Sequence, residues 1–219
     1  MYLGWVVIKA VLAVIMGYLL GSANTSIIVG KFYGIDVRKH GSGNAGMTNT
    51  LRTLGKLPAL LVIIGDLLKG ILACIAGYYI FKAGFNAAEP GWMKEHMALG
   101  VLAGGTGAVL GHNWPLYFGF KGGKGVLTTF AVILMAAPIQ GLILLGIFLV
   151  VVTLTRYVSV GSIIAAVFFP FLTAFMGKEP EYIFFAAFVA ILVILRHNSN
   201  IKRLIKGTEN KLGNKKEKV

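Results

Sequence analysis

The stretch from Val126 to Val151 is nearly unbroken apolar sequence, interrupted only around "APIQG". Carried through Thr155 as one straight helix, it would be about 45 Å long at 1.5 Å per residue. A bilayer hydrocarbon core is only about 30 Å thick and takes about 20 helical residues. The chain therefore has to break there, and Pro138 with Gly141 supplies the break. Similar apolar runs divide the whole chain into candidate spans at roughly 3–30, 57–82, 97–112, 126–138, 139–155, 161–176 and 182–196. The expected fold is an all-α integral membrane protein of about seven transmembrane helices, with six spans as the alternative.

Charge decides between them. Of 219 residues, 57% are hydrophobic and 13% charged, where a soluble domain carries about 25% charged. With seven spans and the N-terminus outside, Lys31, Arg38, Lys39, Arg52, Lys56, Lys121, Lys124, Arg156, Arg196 and the basic tail share one side. Lys9, Lys82, Lys94 and Lys178 take the other, together with Glu89, Glu95, Glu179 and Glu181. Basic residues collect on the cytoplasmic side of membrane proteins, so the C-terminus is expected to be cytoplasmic. Six spans would weaken that asymmetry. The expected organisation is one polytopic membrane domain over 1–201 and a basic cytoplasmic tail over 202–219.

A formal charge of +13 on a soluble chain would suggest nucleic acid. Here topology accounts for it, no aromatic-interleaved basic signature exists, and no nucleic-acid partner is expected. The N-terminus lacks a basic n-region and Lys9 interrupts the first apolar run, so no cleaved signal peptide is expected. Cys74 is the only cysteine, which excludes an intramolecular disulfide and leaves it a small buried hydrophobe. Trp5, Trp92 and Trp114 fit interfacial belts. Gly100, Gly104 and Ala108, and Gly107 with Gly111, have the small-xxx-small spacing of closely packed helices.

Four polar clusters stand out, and the topology puts all of them at the cytoplasmic face or just inside the adjoining helix ends. In "GSGNAGMTNTLR", residues 41–52, glycines permit turns whose N–H groups converge on an anion, while Ser42, Asn44, Thr48 and Asn49 add donors. Arg52 closes the stretch with a planar fork suited to phosphate or carboxylate. In "GHNWPLYFGFKGGKGV", residues 111–126, Gly122, Gly123 and Gly125 bracket Lys124 at the start of a helix, a place that favours phosphate. This is no Walker A loop: only three residues separate Gly119 from "GK", where the pattern needs four, and Gly125 occupies the Ser/Thr position. Asp66 and Lys69 lie i, i+3 on one helix face inside a span and can pair. In "RHNSNIKRL", His197 and Asn200 are i, i+3 neighbours if the helix continues, and Lys202 onward reads as a lipid-facing basic tail. Ser22, Asn24, Thr25 and Ser26 could bond across helices or line the same site.

Common chemistries do not fit. His40, His96, His112 and His197 lack zinc-ligand spacing, acids on the cytoplasmic face are too few for magnesium, and no G-x-S-x-G elbow occurs. No histidine is followed five residues later by aspartate, and Asp36 and Asp66 are too far apart for a paired-aspartate phosphotransferase. No metal or cofactor is expected. An anion transporter would carry polar residues through to the outer face, and an inverted repeat would favour it; the polar set is one-sided and no repeat is seen. A non-catalytic lipid-binding scaffold is the third reading.

Taken together, "LLGS", "GSGNAGMTNTLR", "GDLLKG", "GHNWPLYFGFKGGKGV", "RYVSVGSI" and "RHNSNIKRLIKGTEN" resemble, in order and across nearly the whole chain, the bacterial acylphosphate:glycerol-3-phosphate acyltransferases of the PlsY family. Met47, Trp114 and Leu127 depart from the usual Ala, Phe and Ala. The resemblance implies transfer of a fatty acyl group from acyl phosphate to the 1-hydroxyl of sn-glycerol 3-phosphate, giving lysophosphatidic acid and phosphate. It implies a bacterial inner-membrane enzyme with a cytoplasmic active site, no cofactor, lipid contacts, and the acyl-phosphate-forming enzyme as a candidate partner. It also implies a substrate-assisted step in which the donor phosphate takes the hydroxyl proton. On this reading Ser42, Lys124, His197 and Asn200 are catalytic. Gly43, Asn44, Thr48, Asn49, Arg52, Lys69, Gly122 and Gly123 bind substrate.

Overall fold

The computed structural model describes residues 2–83 and 90–213, with side chains from residue 3 and, in the second segment, from residue 97. Trp92, Lys94, Glu95 and His96 therefore lie outside the described side chains, and Glu89, Lys215, Lys216 and Lys218 outside the described residues. Every regular element among the described residues is helical: α1 (Tyr2–Ser22), α2 (Thr25–Phe32), α3 (Met47–Thr53), α4 (Lys56–Lys82), α5 (Pro90–Asn113), α6 (Val126–Ala136), α7 (Pro138–Thr155), α8 (Val158–Phe175), α9 (Pro180–Arg196) and α10 (Asn198–Ile205). Short 3₁₀ turns occupy Val37–Lys39 and Leu116–Phe118.

The helices carry their apolar side chains outward as well as inward. On α1, Val7, Val11 and Ile15 are about half exposed, as are Leu60, Ile64 and Leu68 on α4. Helices apolar all round belong in lipid. By length and hydropathy, Leu3–Phe32, Lys56–Lys82, Pro138–Thr155 and Val158–Phe175 can each cross a membrane. Pro180–Arg196 and Asn198–Ile205, bent 55° apart, make a fifth if taken together. The break expected at Pro138 is present. Ala137 leaves the helical region and Pro138 starts α7, leaving α6 only 11 residues long. The first apolar run, expected as one helix over 3–30, is also interrupted. The side chain of Asn24 accepts from Ile27 N at 3.2 Å and starts α2 afresh.

Small residues hold the first helices together. A Cβ on Gly104 would collide with the Ala73 carbonyl of α4, and one on Gly17 of α1 would collide with the Gly104 carbonyl. Helix α5 is thus wedged between α1 and α4 through the small-xxx-small positions of the sequence. Helices α6 to α9 pack beside this trio around Val132, Leu144, Phe169 and Val189.

Candidate functional site

The loops at one end of these helices converge on a cavity of about 330 Å³. Its mouth is polar: Ser42, Asn44, Thr48, Asn49, Arg52, Lys124, His197, Asn200 and Glu209. Its interior, between α4 and α6–α9, is apolar, with Leu67, Phe130, Ile133, Leu144, Phe148, Phe169 and Val193. Eight of the twelve residues expected from the sequence therefore share one cavity wall.

The 41–46 loop owes its shape to Asn49. Gly41 and Gly43 take positive φ, +57° and +71°, where glycine is least strained. Asn49, 1% exposed, accepts from Ser42 N at 2.8 Å and donates to the carbonyls of Val37 at 2.8 Å and His40 at 3.1 Å. Both amide protons are engaged, so Asn49 holds Ser42 in place rather than reaching out to a ligand. Gly43 likewise gives its N–H to the His40 carbonyl at 3.0 Å. Asn49, expected to orient substrate, and Gly43, expected to donate to it, here build the loop that presents Ser42 and Asn44.

Gly122 and Gly123 shape the second loop. Gly123 N–H donates to the His112 carbonyl at 3.1 Å, and a Cβ there would strike the His112 ring and the Ala45 carbonyl. Their carbonyls face the Arg196 guanidinium, which donates from Nε to Gly123 O at 3.0 Å and from Nη2 to Gly123 O at 2.7 Å and Gly122 O at 3.4 Å. Arg196 also lies 5.2 Å above the Trp114 ring. Arg196 is thus the clasp of the lysine loop. Arg38 clasps the loop's other end, donating to Phe118 O at 2.8 Å and Lys121 O at 3.3 Å while paired with Asp36.

With its loop fixed, Lys124 extends to the mouth and donates to Asn200 Oδ1. Asn200 Nδ2 donates to Glu209 Oε1 at 2.6 Å, an acceptor shared with Ser159 Oγ at 2.9 Å. Glu209 Oε2 receives Arg203 Nε at 2.7 Å. Burial pushes the Glu209 carboxyl up, but hydrogen bonds from Asn200, Arg203 and Ser159 outweigh it and hold the group below the usual carboxylate range. Burial brings the Lys124 ammonium down to about 8; Glu209 opposes that, while Arg203, Arg52 and Arg196 add to it. Lys124 and Arg52 line the mouth, with Arg203 and Arg196 close enough to act on Lys124, so positive charge outweighs the Glu209 carboxylate there and the mouth suits anions.

Glu209 falls in a segment read from sequence as a lipid-facing tail. After α10 the chain returns across the site: Leu212 N donates to Arg156 O at 2.7 Å, and Arg52 Nη2 to Asn210 O at 3.2 Å. The available signal was a lone acid between Arg203 and Lys211. His197 and Asn200 meet at the cavity although the helix bends between α9 and α10. His197 Nδ1 lies 2.7 Å from Val193 O, a carbonyl that can only accept, so Nδ1 carries the proton and Nε2 of the neutral ring keeps a lone pair.

Lys69 is not on the cavity wall. It pairs with Asp66 Oδ1 at 2.9 Å, as the i, i+3 spacing predicts, and also reaches His112 Nδ1 at 2.9 Å and Ala23 O at 3.4 Å. Lys69, expected from the sequence to bind substrate, thus sits in a buried network with Asp66, His112 and the Ala23 carbonyl. Among the described residues no three His, Cys, Asp or Glu side chains gather as metal ligands.

The chain matches the family model described as glycerol-3-phosphate acyltransferase over residues 11–207. A glycerol-3-phosphate acyltransferase of Halalkalibacterium halodurans is 44% identical, with 99% of each chain covered. Another, from Thermoanaerobacter pseudethanolicus, is 42% identical over 95% of this chain and 98% of its own. Among solved structures, PlsY, an integral membrane glycerol 3-phosphate acyltransferase, superposes in its glycerol 3-phosphate form with a TM-score of 0.80 and 36% identity. That match covers 93% of this chain and 96% of PlsY. Its lysophosphatidic acid form gives 0.78 and 34%, covering 93% and 95%.

Proposed function

The chain belongs to the glycerol-3-phosphate acyltransferase family, and is accordingly a multi-pass integral membrane acyltransferase of phospholipid synthesis; from that premise we propose that its acyl donor is acyl phosphate. The acyl group passes to the 1-hydroxyl of sn-glycerol 3-phosphate, and the products are lysophosphatidic acid and inorganic phosphate. The observation that carries this reading is the form of the cavity: a cationic mouth around Lys124 and Arg52 continuous with an apolar interior. Such a space suits a substrate with a phosphate at one end and a hydrocarbon chain at the other, and a second phosphate-bearing substrate at the mouth.

The chemistry asks little of the protein beyond position and charge. Acyl phosphate is a mixed anhydride, already activated, so no metal is needed to polarise it. The glycerol oxygen attacks the carbonyl carbon, the carbon–oxygen bond to phosphate breaks, and the hydroxyl proton passes to a donor phosphate oxygen. Lys124 and Arg52 neutralise phosphate charge as it grows on the leaving group. Ser42 and Thr48 supply hydroxyl donors at the mouth. Asn44 and His197 orient the acceptor, the His197 Nε2 lone pair being suited to the attacking hydroxyl. Asn200 holds Lys124. Helix α6 begins at Gly125 without a side-chain cap, so the N–H groups of its first turn are suited to the same anion.

The arrangement in the cell follows from charge. We place seven spans with the N-terminus outside and the C-terminus and site at the cytoplasmic face of the bacterial inner membrane, as one membrane domain over 1–201 followed by the basic segment 202–219. The acyl-phosphate-forming enzyme is then the natural supplier of donor. Lys124→Ala and Arg52→Ala, assayed by phosphate release from acyl phosphate with glycerol 3-phosphate present, are each expected to lose about 100-fold or more in turnover. Near-normal turnover in both would remove the assignment.

A further inference from the structure

Asp66 and His112 reach the cavity wall while Lys69 lies behind it, and the proposed mechanism uses none of the three. Asp66 is 1%, Lys69 6% and His112 3% exposed. A lysine ammonium has three protons and no lone pair. Lys69 forms an ion pair with Asp66 Oδ1 at 2.9 Å, reaches His112 Nδ1 at the same distance and donates to Ala23 O at 3.4 Å; Asp66 Oδ1 itself stands 3.6 Å from His112 Nδ1. His112 Nδ1 must therefore be the acceptor, and the neutral ring carries its proton on Nε2. That edge of the ring faces Gly123, where there is no room for a side chain. The carbonyl of His112 at the same time takes the Gly123 N–H.

The other loop rests on the same support. Asn24 Nδ2 stands 3.5 Å from both the His112 carbonyl and the Ala45 carbonyl, and Ala45 lies in the 41–46 loop. We propose that Asp66, Lys69 and His112 are positioning residues: Lys69 fixes the tautomer and plane of the His112 ring, and the ring sets Gly123, and with it Lys124, in register with the Ser42 loop. Packed hydrophobes would hold α4 against α5 as well as a buried ion pair does. They could not orient an imidazole through its lone pair. Because the ring touches the residue before Lys124, a small rotation of it moves the ammonium at the cavity mouth.

The kinetic arm of the test rests on the substrate reading above; the spectroscopic arm does not. In the ¹⁵N spectrum of the intact protein, assigned with His112→Asn, His112 is expected as a neutral ring protonated at Nε2. A ring protonated at Nδ1 overturns the proposal. The double variant Asp66→Leu/Lys69→Met removes both charges together and avoids stranding one of them. It is expected to keep the thermal midpoint, to lose the single His112 tautomer, and to raise KM for glycerol 3-phosphate about tenfold or more with a smaller fall in kcat. Unchanged KM, or lowered stability with unchanged KM and kcat, overturns it. If the double variant does not fold, the native spectrum still decides. If the native protein turns over no glycerol 3-phosphate, the substrate reading fails while the tautomer result stands.

Discussion

Glu209 accepts a hydrogen bond from the side-chain amide of Asn200 at 2.6 Å, across the turn that follows α10.

 

This bond joins residues nine apart in sequence. It settles which way the Asn200 amide points. Its nitrogen faces the carboxylate, so its oxygen faces Lys124, and Glu209 governs the lysine at one remove. Glu209→Gln is expected to lower kcat/KM about tenfold and to cost about 1–3 kcal/mol of stability, since Arg203 loses its buried partner. Unaltered kcat/KM in a folded Glu209→Gln protein would show that the Asn200 contact is incidental.

The Lys124 ammonium, brought down to about 8, is charged below that pH and neutral above it. Phosphate binding needs the charged form. The value of kcat/KM, which reports the free enzyme, should therefore fall as pH rises through about 8. In Lys124→Arg the guanidinium stays charged, and that alkaline limb should disappear even if activity is lower. A limb of the same midpoint in Lys124→Arg would assign the titration to another group.

Two glycines that look alike in sequence should respond differently to alanine. At Gly43 the difficulty is a positive φ, +71°, with the nearest obstacle 3.3 Å away, so Gly43→Ala should cost about 1–2 kcal/mol and leave turnover largely intact. At Gly123 a Cβ meets the His112 ring and the Ala45 carbonyl, and the loop must move. Gly123→Ala should lose about 100-fold in kcat/KM. Equal effects from both would contradict the different roles assigned to them.

Arg196→Lys keeps the charge but loses the fork that grips the Gly122 and Gly123 carbonyls and the stacking on Trp114. KM for glycerol 3-phosphate should rise about tenfold, with a smaller change in kcat. Wild-type kinetics would mean that the lysine loop holds its shape without the clasp.

The sequence made the location of the site legible because Gly, Ser, Asn, Lys and Arg are costly near lipid and their clusters fall at one end of the helices. The break at Pro138 was legible for the same kind of reason, since an unbroken helix would not fit the bilayer. The division of labour within the clusters was not. Asn44 and Asn49 look equivalent in "GSGNAGMTNTLR", yet Asn49 is consumed by the carbonyls of Val37 and His40. Glu209 and Ser159 are fifty residues apart, and nothing local to either announces their bond. His112 offered no metal spacing and so no motif; its role depends on Lys69, which reaches it from another helix.

The most direct test of the central claim is a donor comparison on the purified protein with glycerol 3-phosphate as acceptor. The account predicts lysophosphatidic acid and inorganic phosphate in equal amounts from acyl phosphate, both dependent on glycerol 3-phosphate, and no transfer from acyl-CoA. Efficient transfer from acyl-CoA, or phosphate release that does not need glycerol 3-phosphate, would contradict it.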